Sequence, residues 1–243
     1  MQVYAWTMPL RSASSASHPL ELSLPFTGSW KVQNSPASHV PSHGTDLFGI
    51  RYAIDFVAVN ARGRSADSRS WRSLLATERP ELFLGFGKKV LAPCEGTVRV
   101  IHDGEEDHSA RRSQLSMIPY MLGQPSRVRQ GPAAVAGNHV IIEDPRSQSF
   151  IALVHLRRGS IRVHTGQRLS SGEILAECGN SGNSTQPHIH LQAMDRLDLE
   201  SAQGVPIMFR DFQEQIRSGE TAVIWHGVPA DSSVVQPVRP APA

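Results

Sequence analysis

Short runs of β-forming residues, separated by glycine, proline, asparagine and serine, dominate the hydrophobic pattern of this chain. The clearest run is 51–59, where aromatic and β-branched residues are dense. The pattern predicts further strands at 89–91, 96–102, 138–143, 150–155, 161–163, 173–178, 188–194, 204–212 and 221–226. Because short strands with frequent turns are typical of antiparallel sheets, we expect an all-β fold. The predicted architecture is a sandwich-like antiparallel single domain with a substrate groove and long inserted loops.

Two long stretches without a clean period interrupt the strands. We interpret 60–87 as an insertion with a short helix near 70–77, and 103–136 as a second insertion at the rim of the groove. The domain itself is expected to span 24–226. Residues 1–23 would form an extended N-terminal segment along its edge. Residues 227–243 are predicted to be a flexible tail, because a proline-rich segment buries too little apolar surface to be firmly ordered.

Composition narrows the class of protein. The chain has 243 residues, 40% hydrophobic and 19% charged, which is typical of a globular protein, and its net charge of +2 is too small to indicate nucleic-acid binding. No run approaches the roughly 20 apolar residues of a spanning helix. The amino terminus has no basic and then apolar signal pattern. We therefore expect a cytoplasmic protein as written, or an exported one if a signal has been removed.

The two cysteines, Cys94 and Cys178, are too few for a disulfide framework. We interpret them as small, buried side chains near strand ends. A bridge between them is the alternative, if the fold brings them together.

Polar residues inside predicted strands supply the candidate chemistry. His188 and His190 are two positions apart, so a strand would point both imidazoles to the same face. Two neighbouring imidazoles suit a metal such as zinc. Asp55 is a single acid within an apolar strand, and a buried carboxylate is costly unless it is paired or coordinated. A structural carboxylate, hydrogen-bonded to backbone or an arginine, is the alternative to a metal ligand.

Five segments, in the same order as in a known family, carry a resemblance. They are VLAPCEGTV at 90–98, GNHVII at 137–142, LVHL at 153–156, VHTGQRLSSGEIL at 163–175 and GNSGNSTQPHIHL at 179–191. Together they resemble lysostaphin-type (LytM-like) zinc metallo-endopeptidases, which cut peptidoglycan cross-links or bridges. The resemblance covers roughly residues 40–195.

This resemblance implies a zinc metallopeptidase with one zinc ion per chain. It assigns Asp55 and His190 as metal ligands, and His155 and His188 as catalytic residues that move a proton and stabilise the developing oxyanion. An imidazole suits both tasks because it titrates near neutral pH. Neither cysteine is a ligand in the family pattern. Four further histidines have no such support and are expected to be structural or solvated: His102, His108, His139 and His164.

The third metal ligand is the point where this chain departs from the family. The family pattern places histidine at position 51, but the residue here is arginine, which has no lone pair to donate. His39, His43 and Asp46 are the nearby donors. We favour His43, because Gly44 permits a tight turn and because a second carboxylate would leave the metal a weaker Lewis acid.

Two hypotheses of function follow. The first is a zinc-dependent endopeptidase that hydrolyses peptide bonds of peptidoglycan cross-links or bridges. The alternative is a repurposed cytoplasmic relative: a zinc-dependent hydrolase or tailoring enzyme on another small peptide-like substrate, or a metal-free binding module. In either case we expect a peptide-like partner, no nucleic acid and no membrane span. The sequence predicts neither the scissile bond nor the oligomeric state.

Overall fold

The computed structural model describes residues 19–67, 77–110, 132–216 and 219–238. Within them, strands account for almost all regular structure, and the helical segments are short: Leu47–Tyr52, Pro80–Leu82 and Pro132–Ala136. The strands are β1 (Leu20–Ser23), β2 (Trp30–Gln33), β3 (Ile54–Ala58), β4 (Lys89–Leu91), β5 (Gly96–His102), β6 (Asn138–Glu143), β7 (Phe150–Leu156), β8 (Arg168–Leu169), β9 (Ile174–Glu177), β10 (Ile189–Met194), β11 (Ile207–Gln215), β12 (Thr221–Gly227) and β13 (Val234–Pro237).

One large sheet contains most of these strands in the order β1-β11-β13-β2-β3-β10-β7-β6-β5-β8, with β12 added alongside β11. Strands β4 and β9 form a separate two-stranded sheet. The all-β, antiparallel prediction is confirmed. The exception in the described sheets is the parallel pair β1–β11. These two strands are far apart in sequence, so no hairpin turn imposes an antiparallel arrangement on them.

The main core lies between the large sheet and the small one. It contains Phe26, Trp30 and Phe56 from the large sheet's side, and Val90 and Leu175 from the two-stranded sheet. The Phe26 and Trp30 rings stack with centroids 4.7 Å apart, and Phe56 meets Phe26 edge-on at 4.9 Å. These aromatic contacts consolidate the large sheet's side of the core, against which residues of the two-stranded sheet pack.

A second, smaller apolar cluster covers the opposite face of the large sheet. Its members belong to adjacent strands and the loop after them: Ile141, Ala152, Val154, Met194 and Ala202. Strands β6, β7 and β10 are consequently buried along nearly their whole length. The groove described below lies over this face.

The predicted domain boundaries differ from the structure at both ends. Strand β1, within the predicted N-terminal segment, pairs with β11, and the sheet therefore begins before residue 24. Strand β13, within the predicted flexible tail, pairs with both β2 and β11, and Val235 is fully buried. The tail prediction is wrong for this strand, because two neighbouring edges satisfy its backbone. The parts of these and other predictions that concern 1–18, 68–76, 111–131 and 239–243 lie outside the described residues.

Three strand predictions also need correction. Residues Arg51 and Tyr52 belong to a 3₁₀ segment, so β3 begins only at Ile54. The predicted strand at 161–163 is irregular, and the neighbouring strand is β8. Strand β11 continues to Gln215, beyond the predicted end at residue 212, because β12 and β13 both pair with its last residues. In the described part of the chain, no helix is long and apolar enough to cross a membrane.

Candidate active site

Asp55 and His190 are brought together by strand register. In the large sheet β3 and β10 run antiparallel, and His190 pairs directly with Asp55. Directly opposed residues on neighbouring strands project to the same face. His190 Nδ1 consequently lies 2.9 Å from Asp55 Oδ1. Both side chains are buried, at 7% and 6% exposure.

His43 reaches the same carboxylate from a loop. The Ser42 amide donates to Arg51 O over 2.9 Å, which folds 42–51 back against the start of β3. His43 Nε2 then lies 3.1 Å from Asp55 Oδ2. Donor atoms of His43, Asp55 and His190 all lie within 4.8 Å of one another.

In His190 and His43, the ring nitrogen that points away from Asp55 has its own hydrogen-bond partner. That partner determines which tautomer the ring adopts. Gln192 Nε2 donates to Phe48 O (2.7 Å), so Gln192 Oε1 accepts from His190 Nε2 at 3.1 Å. Ser42 Oγ donates to Ile50 O (3.3 Å), and its oxygen can accept from His43 Nδ1 at 3.0 Å. In the neutral rings, His190 Nδ1 and His43 Nε2 therefore present lone pairs towards Asp55. Lone pairs that converge on a carboxylate suit a cation, and two imidazoles with one carboxylate suit zinc.

The charge state of Asp55 agrees with this arrangement. Burial by itself would raise the pKa of Asp55, but the neighbouring imidazoles of His188, His43 and His190 hold the pKa well below its usual range. Asn34 Nδ2 also donates to Asp55 Oδ2, over 2.7 Å. The carboxylate is therefore ionised and held in one orientation.

His155 enters the site through a break in strand alternation. Val154, its neighbour on β7, pairs with His190 and so faces the groove. Regular alternation would send His155 to the opposite face. Instead His155 has φ +63°, a left-handed conformation unusual for a residue with a side chain, and both Val154 and His155 line the groove. Positions of this kind are concentrated at functional sites.

His188 is positioned by the loop that precedes β10. Its Nδ1 donates to Gln186 O over 2.8 Å, and Ser184 Oγ lies 3.0 Å from the same nitrogen. His188 Nε2 consequently faces the carboxylate, 3.7 Å from Asp55 Oδ1. His155 has an equivalent bond, from Nδ1 to Ser181 O at 2.9 Å. The same glycine- and serine-rich loop thus orients both imidazoles.

The His155 and His188 rings are close neighbours, with centroids 4.7 Å apart. Burial lowers the pKa of His155 well below its ordinary value, and the proximity of His188 and His190 lowers it further. A histidine with such a pKa is neutral at neutral pH. With Nδ1–H donated to a carbonyl, its Nε2 can accept a proton.

The two other candidates for the third ligand lie elsewhere. Arg51 Nη1 contacts both carboxylate oxygens of Asp46, and Asp46 is not part of the cluster at Asp55. His39 is exposed and is not part of the cluster at Asp55. The structure therefore brings together His43, Asp55 and His190, with His155 and His188 beside them.

Gln192, Asn34 and Ser42 contact residues of the site and were not predicted from the sequence. Gln192 follows His190 by two positions on β10, and the alternation that pairs His188 with His190 also predicts Gln192 on that face. No sequence pattern indicates the role of Asn34. It follows the last residue of β2 and contacts Asp55 because β2 and β3 are neighbours in the sheet.

The remaining histidines and both cysteines take different positions. His139 is buried and lines the groove, with Nδ1 2.7 Å from Gly137 O. His108, expected to be solvated, is partly buried, and its Nε2 lies 2.8 Å from Gly182 O in the loop before β10. Both cysteines are free; burial raises the pKa of the Cys94 thiol to about 12 and that of Cys178 further.

A known protein family matches the part of the chain that contains several of these motifs. Residues 124–205 match the family model described as Peptidase family M23. This stretch contains His155, His188 and His190. The match confirms the resemblance to the lysostaphin-type (LytM-like) family and supports a peptidase.

Three solved structures are similar to this chain at low scores. The catalytic domain of lysostaphin from Staphylococcus simulans is 16% identical, covering 63% of this chain and 74% of its own, with a TM-score of 0.36. A putative glycyl-glycine endopeptidase lytM from Ruminococcus gnavus is 14% identical, covering 77% and 55%, with a TM-score of 0.38. A zinc-containing peptidase from Vibrio cholerae is 18% identical, covering 63% and 45%, with a TM-score of 0.30. These low scores add no weight to the family match.

Proposed function

We propose that this protein is a zinc-dependent endopeptidase that hydrolyses peptide bonds in peptidoglycan cross-links or bridges. The observation that carries the proposal is the convergence of His43 Nε2, Asp55 and His190 Nδ1, with two further imidazoles in contact with the cluster. The match of residues 124–205 to Peptidase family M23 supports the same class of reaction.

His43, Asp55 and His190 would hold one zinc ion. A zinc ion with three protein ligands supplies an activated water and polarises the scissile carbonyl as a Lewis acid. Gln192 and Ser42 keep the ring nitrogens in the tautomers that ligation needs, and Asn34 keeps the carboxylate in place. Partners of this kind generally strengthen metal binding.

His155 and His188 would act as general acid–base and oxyanion-stabilising residues beside the metal. Each ring donates Nδ1–H to a backbone carbonyl, so Nε2 is the nitrogen that faces the substrate. A neutral Nε2 accepts a proton from the attacking water, and its protonated form returns the proton to the leaving amine. The other imidazole would donate Nε2–H to the oxyanion of the tetrahedral intermediate in its imidazolium form, in which both ring nitrogens carry a proton.

Purified, zinc-loaded protein should be incubated with peptidoglycan sacculi, and the new amino groups and fragments identified by mass spectrometry. We expect peptide-bond cleavage that a chelator abolishes and added zinc restores. The matched control is Asp46→Asn, which leaves the three ligands intact. Cleavage that survives complete metal removal contradicts the zinc proposal. Intact sacculi with cleavage of short peptides would instead favour a hydrolase of small peptide-like substrates.

A further inference from the structure

A mainly apolar cavity adjoins the three imidazoles that line the candidate active site. Its volume is about 140 Å³, and His43, His155 and His190 are among its lining residues. Aliphatic and aromatic side chains supply much of the remaining lining: Phe48, Ile50, Ile141, Ala152, Val154 and Leu199. The cavity and the candidate reaction centre therefore share three histidines.

The floor of this cavity is fixed by packing. Ile141 and Val154 belong to the buried cluster on the groove face of the sheet, while Leu199 packs against that cluster from the following loop. Phe48 has φ +58° and is held at its carbonyl by Gln192. The cavity is thus preformed, which is usual for sites that bind small groups.

Charge is missing from the lining. Among the described lining residues there is no aspartate, glutamate, lysine or arginine, and the polar groups are the histidines, Asn183 and Gln192. A charged side chain placed here would lose hydration without gaining a counter-ion. An apolar cavity of about 150 Å³ is large enough for a benzene ring, so an aliphatic side chain of leucine size fits.

We infer that this cavity is a specificity pocket for an uncharged, apolar side chain on a residue flanking the scissile bond. The inference rests on the proposed peptidase function and refines its substrate class. A bridge or cross-link with an alanine- to leucine-sized residue at the cleaved bond would fill the pocket. An all-glycine bond would leave it empty, and an acidic or basic side chain would be excluded from it.

The test uses capped pentapeptides Gly-Gly-Xaa-Gly-Gly with zinc-loaded protein, where Xaa is glycine, alanine, valine, leucine, aspartate or lysine, and D-alanine or D-leucine. Mass spectrometry reports cleavage on either side of Xaa. We expect kcat/KM for the best apolar residue to exceed that for glycine by about 10–100-fold, with aspartate and lysine at or below glycine. Equal rates for glycine, leucine and lysine would overturn the pocket but leave the peptidase function standing.

Leu199→Asp places a charge at the pocket wall and should reduce the preference for the apolar residue over glycine by about tenfold or more. Leu197→Asp is the matched control, because Leu197 is exposed, lies two positions away and is outside the cavity lining. An unchanged preference in folded Leu199→Asp protein would overturn the inference. Thermal unfolding verifies that both variants fold.

Peptide-binding measurements test the specificity pocket separately from the proposed peptidase function. If no pentapeptide is cleaved, the sacculus assay decides the proposed function, and the same peptides are titrated calorimetrically into zinc-loaded protein. Affinity about tenfold higher for the leucine or D-leucine peptide than for the glycine peptide would support the pocket independently of catalysis. Equal or undetectable affinities would overturn it.

Discussion

Arg51 Nη1 lies 2.7 Å from one carboxylate oxygen of Asp46 and 2.8 Å from the other. Arg51 stands where the family pattern has a ligand histidine, and Asp46 is one of the alternative ligands suggested by the sequence. The two side chains pair with each other, so neither belongs to the cluster at Asp55. The loop that carries the pair also carries His43, whose ring reaches Asp55 instead.

Removing His43 should therefore weaken zinc binding more than removing the alternatives. We expect His43→Ala to lower zinc affinity by about 100-fold or more, because one of three protein donors is lost. His39→Ala and Asp46→Asn are the matched controls and should bind zinc normally. Competition with a chromophoric chelator measures all three affinities. Unchanged affinity in His43→Ala would exclude it as the third ligand.

Gln192 should influence the metal without contacting it. Its amide accepts from His190 Nε2 and thereby selects Nδ1 as the donor atom. Gln192→Leu removes this acceptor, and we expect zinc affinity to fall by about 10–100-fold. Gln203→Leu, at an exposed position, is the control. Equal affinities in the two variants would show that the tautomer of His190 is set by something else.

His155 and His188 should be needed for catalysis but not for the metal. We expect His155→Ala and His188→Ala each to retain zinc and to lose activity by about 10²–10⁴-fold, the usual effect of a general acid or base. His164→Ala, on an exposed residue, should remain fully active. Measuring bound zinc and kcat/KM on the same samples decides the roles. Loss of zinc from His188→Ala would mean that His188 is a ligand, since its Nε2 is 3.7 Å from Asp55.

Gly182 and Gly159 have nearly equal φ angles but different surroundings. Alanine at the two positions therefore distinguishes the destabilisation caused by a left-handed backbone from that caused by steric overlap. Gly182 has φ +67° and Gly159 has φ +68°, but a Cβ on Gly182 would lie 2.4 Å from Gly137 N, whereas one on Gly159 would meet nothing within 4 Å. Either alanine substitution adds a left-handed penalty of about 1–2 kcal/mol.

Gly182→Ala should be less stable than Gly159→Ala by about a further 1–3 kcal/mol, because backbone must move to relieve the overlap. Urea unfolding measures the difference in the free energy of unfolding. Because the same loop supplies Ser181 O to His155, Gly182→Ala should also reduce activity. Equal stabilities for the two variants would show that the loop and β6 are packed less closely than the structure indicates.

His139 should make stability depend on pH. Burial lowers the pKa of His139 in the folded protein, and His102 lowers it further, against the opposing effect of Gly137 O. The unfolded chain therefore takes up a proton near its ordinary pKa of about 6.5, before the folded chain does. The free energy of unfolding must fall as pH drops below that value, towards the folded pKa.

Replacing His139 with glutamine should remove part of this loss. We expect the change in melting temperature between about pH 7.5 and about pH 5 to be smaller for His139→Gln than for the unmodified protein. His164→Gln is the control at an exposed site. The prediction fails if His139→Gln loses as much stability on acidification as the control does.

The sequence by itself determined most of the longer strands and the principal polar residues of the groove. Period-two alternation predicted that His188 and His190 share a face, and the lone acid within an apolar strand singled out Asp55. Such patterns are local, because each side chain's direction follows from its own strand. Motif order also predicted the resemblance to a peptidase family, whose model matches residues 124–205, the stretch that contains His155.

Tertiary structure alone decided how these elements meet. Because β3 and β10 are neighbouring strands, Asp55 lies against His190. The positive φ of His155 directs its side chain into the groove, whereas regular strand alternation would direct it to the opposite face. The 42–51 turn places the ring of His43 beside Asp55, while His39 and Asp46 lie outside that cluster. Strand β13, expected to belong to a flexible tail, pairs with two strands that are distant in the sequence. Each outcome depends on contacts between residues far apart in the chain, which local preference does not encode.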